Sequence, residues 1–253
     1  MTFAKSPSAP LQKKANYGLD APVFQRIALF GGLAGVVFGI VLSAYAAYLA
    51  PHSIFQYAPV LVWTCLWPFL TGCVMFWGSK VGKLHLRDKI IASIAWRGDE
   101  KVLDVGCGHG LMLLAAAKHL TRGHAIGIDI WSQGDQADNN PKSTMENAQL
   151  ENVTDRIELQ SADARKLPFP DDTFDVIVST FVIHNMKDAP DREQSIREIA
   201  RVLKPGGQLV IADILYTGQY ADTLGTLGWT DVKRWFPNFL FVIPAHVLRA
   251  RKP

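Results

Sequence analysis

From Ile27 to Trp77 the chain runs 51 residues without Asp, Glu, Lys or Arg. A helix on the surface of a soluble protein keeps a charged or polar face, so this absence excludes an ordinary amphipathic pair. Cysteine is scarce, at three residues. Cys65 and Cys73 stand roughly 12 Å apart along a helix at 1.5 Å per residue, and Cys107 lies in another part of the chain, so no disulfide is expected. Neither an internal repeat nor a His/Cys cluster with zinc spacing is present. The net charge of +3 is too small to point to nucleic acid. Met1 to Leu19 carries Lys and Ser but no acidic residue, a composition that would also suit a mitochondrial targeting segment.

The uncharged stretch is long enough for two bilayer crossings, since one takes roughly 20 apolar helical residues. The break falls at Ala50 to Gln56, where Pro51 removes a backbone donor and His52, Ser53 and Gln56 are polar. Spans are therefore expected near Ile27 to Leu49 and Ile54 to Trp77. Lys5, Lys13, Lys14 and Arg26 precede the hairpin, Lys80, Lys83, Arg87 and Lys89 follow it, and its loop has no Lys or Arg. Both ends thus read as cytoplasmic, making an integral membrane protein with its larger part on the cytoplasmic side. A buried hairpin of a soluble protein is the competing reading. Gly31, Gly35, Gly39, Ser43 and Ala47 recur every four residues, a seam of small residues suited to the second span or to a homodimer through the same stripe.

The expected organisation is a tail over 1–26, a transmembrane hairpin over 27–78, an amphipathic connecting helix over 79–98 and an α/β domain over 99–253. In the connecting helix Leu84, Ile91 and Ile94 or Ala95 fall near one face. Beyond Asp99, strand-like runs at Lys101–Gly106, His124–Ile130, Arg156–Ala162, Phe174–Thr180 and Gly207–Ile214 alternate with helix candidates at Leu111–Leu120, Lys142–Leu150 and Asp191–Leu203. That alternation predicts a doubly wound, mostly parallel sheet. VKRWF from Val232 and the apolar segment from Phe239 to Lys252 predict a closing antiparallel hairpin.

In such a sheet a ligand sits outside the carboxyl ends of the strands. The turn after the first strand reads Gly106-Cys107-Gly108-His109-Gly110. Its glycines let a ligand lie against the backbone, and the following helix offers free N–H groups to an anion. Asp129 closes the second strand, where a carboxylate can accept both hydroxyls of a ribose. Asp163 follows the third strand, FDVIVS forms the fourth, and RVLKPGG leads into the fifth.

This series of motifs resembles the class I S-adenosylmethionine-dependent methyltransferases, particularly the group with quinone-biosynthesis and small-molecule or lipid enzymes. The resemblance covers roughly Asp99 to Ile214 and leaves out the apolar hairpin. It implies a Rossmann-like seven-stranded sheet, mostly parallel with an antiparallel C-terminal strand, and S-adenosyl-L-methionine as cofactor. By position it assigns Asp104, Gly106, Gly108 and Gly110 to the methionine part, Asp129 to the ribose, and Asp163 with Ala164 to the adenine, with Cys107 and Ile130 also among the cofactor-binding residues. A methyl sulfonium is already activated, so the protein has mainly to align the acceptor, exclude water and remove a proton. His184 in FVIHNM is the candidate base and Asn185 the residue that orients an acceptor atom. Trp131, Asp213 and Tyr216 are expected pocket neighbours.

The acceptor expected from these features is a small-molecule or lipid compound reached from the membrane bilayer. Two other readings share part of the pattern. An NAD-dependent oxidoreductase would have the glycine turn and the ribose carboxylate, and a non-catalytic membrane protein could retain the methyltransferase fold.

Overall fold

The computed structural model describes residues 14–49, 57–132, 138–235 and 244–253. Two long helices come first, α1 over Pro22–Leu49 and α2 over Ala58–Ala92. They pack side by side because small residues let the backbones close: a Cβ on Gly32 would stand 2.6 Å from the Phe69 backbone nitrogen, and one on Gly39 would stand 2.8 Å from Val62 Cγ2. Gly35 faces Cys65 in the same seam, whereas Gly31 has open space around it. Of the two partners expected for this stripe, the second span is the one that covers Gly35 and Gly39. Away from the seam the side chains stand bare. Only 17 % and 6 % of the most apolar stretch of α1 and α2 is buried, which is not the burial of core helices. Both helices are long and apolar enough to cross a membrane. The hairpin break expected over 50–56 lies outside the described residues.

The connecting helix expected over 79–98 is observed to Ala92, continuous with the second span. α2 passes through a π-helical turn, Gly78–Gly82, and runs on to Ala92 as one element. The face that this end presents to the core holds the expected Leu84, Ile91 and Ile94 and adds Leu86 and Ile90. Leu86, Ile90, Ile91 and Ile94 are buried, Leu84 is partly buried and Ala95 is exposed. Leu86 to Ile90 is a four-residue step along one helical ridge, and Ile94 follows just past the helix end at Ala92.

The α/β domain holds β1 (Lys101–Val105), α3 (Leu111–Ala117), β2 (His124–Asp129), α4 (Pro141–Leu150), β3 (Ile157–Ser161), β4 (Phe174–Thr180), α5 (Ala189–Val202), β5 (Leu203–Asp213), α6 (Thr217–Thr226), β6 (Val232–Arg234) and β7 (His246–Arg251). The sheet order is β3-β2-β1-β4-β5-β7-β6. β1 to β5 are parallel, and β7 runs antiparallel to both β5 and β6. This is the expected seven-stranded fold with its antiparallel closing strand. The connection between β6 and β7 lies largely outside the described residues.

Alternation along the strands builds two cores. Val102, Val176, Val178 and Val210 point to the face covered by α3 and the end of α2. Leu103, Val105, Ile177 and Ile211 point to the face covered by α5 and α6. The sheet is therefore buried on both sides, as a parallel sheet must be, and the open crevice lies at its strand ends.

Candidate cofactor and acceptor site

Neighbouring β1 and β4 send their chains away in opposite directions, and the turns that leave them meet at the carboxyl edge of the sheet. Gly106 has φ +74°, and a Cβ there would stand 2.6 Å from Val182 Cγ1 in the loop after β4. Only glycine meets both demands, backbone and space. Gly108 and Gly110 also have positive φ. Backbone bonds from Gly106 and Cys107 to Ile128 O, 2.8 and 3.0 Å, seat the turn on β2. Cys107 is buried with its sulfur turned toward Gly127, and burial raises its thiol pKa well above the ordinary value, so it serves packing rather than reaction.

Asp104 is buried below the turn and accepts the Leu113 N–H at 2.8 Å. Burial pushes its carboxyl up to about 7, with Asp129 adding to the rise and the Leu113 bond opposing it. Asp129 accepts from Gly108 N at 2.9 Å through Oδ2, and from Trp131 N at 2.6 Å and Asn139 Nδ2 at 3.2 Å through Oδ1. A carboxylate has about four acceptor positions, so one remains here. Asn139 Oδ1 is buried without a partner beside it. Asp129 and Asn139 together thus offer acceptors to two adjacent hydroxyls, and the residues present fit a ribose. Sequence reasoning missed Asn139; its only signal was a polar residue in the loop after the ribose carboxylate.

Ile130 exposes its side chain at the same edge, an apolar surface suited to a base. Ala164 is buried. Asp163 is differently placed from the open acceptor expected of it. Arg165 donates to both of its oxygens, with Nη2 at 2.6 Å from Oδ2, and holds the carboxyl below its usual range. Arg165 also reaches Asp191 at 2.7 Å. An adenine amino group would have to share or displace that guanidinium.

The loop after β4 carries a 3-10 turn, Ile183–Asn185. His184 is nearly buried, and its Nδ1 lies 2.5 Å from Oδ1 of Asp213, which ends β5. The contact is short but off the line of a hydrogen bond, leaving Nδ1 without an aligned partner. Asp213 itself is fully buried and accepts from His184 N, Tyr220 OH and Ile214 N at 3.1, 3.2 and 2.9 Å. Through the His184 backbone N–H this carboxylate holds the turn, and its charge faces the imidazole. Among the described residues the Asn185 side chain, which is exposed, makes no hydrogen bond to another residue. Phe181, Trp131 and Tyr216, each just past a strand end, have φ near +60°: 59, 58 and 61°. Left-handed backbone in bulky residues is costly, and its concentration on this edge marks a shaped crevice. Tyr216 is further held by Arg192, whose guanidinium carbon sits 3.8 Å from the ring centre while it donates to the carbonyls of Met186 and Lys187. No cluster of metal-ligating side chains occurs among the described residues.

Residues 103–211 match the family model described as a methyltransferase domain. Over these residues the chain is a methyltransferase domain. A demethylmenaquinone methyltransferase of Lactobacillus johnsonii is 32% identical over 163 residues, 64% of this chain and 62% of that protein. A 27-O-demethylrifamycin SV methyltransferase of Amycolatopsis mediterranei is 34% identical over 55% of this chain and 50% of its own length. The chain therefore spans half to three-fifths of these curated relatives. Among solved structures, an S-adenosylmethionine-dependent methyltransferase from Aquifex aeolicus superposes with a TM-score of 0.53 at 20% identity, over 68% of this chain and 92% of that one. The [4+2]-cyclase SpnF superposes with a TM-score of 0.56 at 18% identity, over 95% and 99%. At such identities these show the fold alone, and the cyclase shows that the fold does not choose the reaction. The domain match implies S-adenosyl-L-methionine as cofactor, which takes precedence over the NAD-dependent reading.

Proposed function

We propose that the protein is a membrane-anchored S-adenosylmethionine-dependent methyltransferase whose acceptor is a small lipophilic molecule with a quinone-like or phenolic ring. The observation that carries the reaction is the pair His184 and Asp213, held on the rim of the same crevice as Asp129, Asn139 and the glycine turn. The bound cofactor supplies an activated methyl group. His184, with Nδ1 turned to Asp213, uses Nε2 to take the proton from the acceptor hydroxyl or ring carbon as the new bond to methyl forms. The Asp213 side chain beside it balances the charge that the imidazole gains. Asn185 orients the acceptor, and Asp104, Gly106, Cys107, Gly108, Gly110, Ile130, Asp163 and Ala164 surround the cofactor.

The bare outer faces of α1 and α2 and the lack of charge between Ile27 and Trp77 support membrane insertion, with both hairpin ends and the domain on the cytoplasmic side. The name of the menaquinone-pathway relative supports a quinone-like acceptor. The deciding experiment supplies the full chain, in vesicles, with methyl-labelled cofactor and an extract of membrane lipids and quinones. Label in a lipophilic product that disappears with His184→Ala supports the reading. Label only in water-soluble products overturns the lipophilic acceptor, and binding of S-adenosylhomocysteine without any transfer would favour a non-catalytic module.

A further inference from the structure

Asn16 to Asp20 lie between two parts of the molecule that the sequence keeps far apart. On one side is the charged end of α2. Lys83 is almost fully buried and donates to Tyr17 O at 2.8 Å and Gly18 O at 3.0 Å, and its ammonium pairs with Asp20 at 3.4 Å. Ser79 closes the same corner, accepting from Asp20 N at 3.2 Å and donating to its carboxylate at 2.9 Å. On the other side is α4. Asn147 accepts from Asn16 N and donates back to Asn16 O, both at 2.9 Å, a two-point grip on one residue's backbone. The same amide nitrogen donates to His109 O at 3.0 Å, inside the glycine turn. Tyr17, buried, adds a bond from its hydroxyl to Glu151 at 3.0 Å.

We propose that residues 16–20 are a strap that couples the base of the hairpin to the cofactor turn, with Asn147 as the positioning residue at the joint. The inference rests on the cofactor reading given above. Asn147 is buried and makes three bonds in which every polar atom of its side chain is used. Its position is set from one side by the strap and read out on the other by a carbonyl of the turn. A buried amide cannot shift without losing a partner to no solvent, so a change at Lys83 must reach His109 through it. Thr144, one helical turn earlier, donates to Gly108 O at 2.5 Å and holds the neighbouring carbonyl without touching the strap. It provides the control.

The test is calorimetric titration of the full chain in detergent or vesicles with S-adenosylhomocysteine, for wild type, Lys83→Met, Asn147→Ala and the double variant, with unfolding temperatures measured alongside. Both single changes should weaken binding roughly five- to ten-fold, the scale of one or two lost hydrogen bonds. The double variant should bind no more weakly than the worse single one, because both break one connection. Thr144→Val combined with Lys83→Met should instead multiply the two losses. An unchanged affinity in Lys83→Met, or a double variant showing the product of the two single losses, overturns the strap. Should Asn147→Ala fail to fold, Asn147→Asp keeps the shape, removes both donations and is read by the same comparison. Wild type that does not bind S-adenosylhomocysteine overturns the cofactor reading and the strap together. Binding that is sensitive to Asp129→Ala but indifferent to Lys83→Met overturns the strap alone.

Discussion

Gly106→Ala should damage the protein in two separable ways. The residue sits at φ +74°, where an L side chain costs about 1–2 kcal/mol. Its new Cβ would also lie 2.6 Å from Val182 Cγ1 and 2.9 Å from Val182 Cβ. These atoms belong to a branched side chain that has no flexible end to withdraw, so the overpacking adds about 1–3 kcal/mol. The sum is about 2–5 kcal/mol, which in a domain of this size lowers the unfolding temperature by roughly 4–20 °C. Val182 is two residues before His184, so the same push reaches the proposed base as well as the cofactor turn. Thermal unfolding followed by circular dichroism measures the loss. Adding Val182→Ala should return the overpacking part and leave the backbone part. The reasoning fails if Gly106→Ala is as stable as wild type, or if the second substitution restores nothing.

Further outcomes follow from the site. Asp129→Ala should weaken S-adenosylhomocysteine at least about ten-fold, since it removes the ribose acceptor and the anchor of Gly108 N; calorimetry giving equal affinities would remove Asp129 from the pocket. His184→Ala and Asp213→Asn should each lower kcat roughly a hundred-fold or more while cofactor affinity stays near wild type, and an unaltered rate in His184→Ala would eliminate the base. Asp104 has its carboxyl raised to about 7 in the folded chain. Its stabilising contribution is fully present below the ordinary carboxylate range and is lost as pH rises through about 7, because the folded state holds a proton that the unfolded state has released. Unfolding temperatures of ligand-free wild type should therefore fall relative to Asp104→Asn between about pH 5 and 8, and a constant difference would contradict this. Gly39→Leu should force α1 from α2 at Val62, to be seen as faster proteolysis of the hairpin, with no change refuting the seam.

Much of the fold was legible because its signals are local. The strand runs from Lys101, His124 and Phe174 were placed to within a residue of their observed ends, since period-two burial and flanking turns fix them. The glycine turn and Asp129 were legible for the same reason: their chemistry is set by neighbours in sequence. What escaped depends on contacts between distant segments. Arg165 covering Asp163, Asn139 beside Asp129 and Asn147 between residue 16 and His109 leave no periodic trace. That α2 continues past Trp77 into the connecting segment also has a physical reason. A change in composition at Lys80 marks where the environment of the helix changes, whereas the backbone ladder needs only residues that tolerate helical angles, and Gly78 to Gly82 tolerate them in a wider turn.

That unbroken α2 carries a mechanical consequence. From Lys83 to Ala92 is roughly 15 Å of rigid rod at 1.5 Å per residue, bolted by Leu86 and Ile90 into the core beneath the sheet. A domain mounted this way cannot swivel as one on a floppy leash would. Under the membrane insertion proposed above, its crevice would keep one height over the bilayer, and acceptors whose reactive end rides at that level would be favoured.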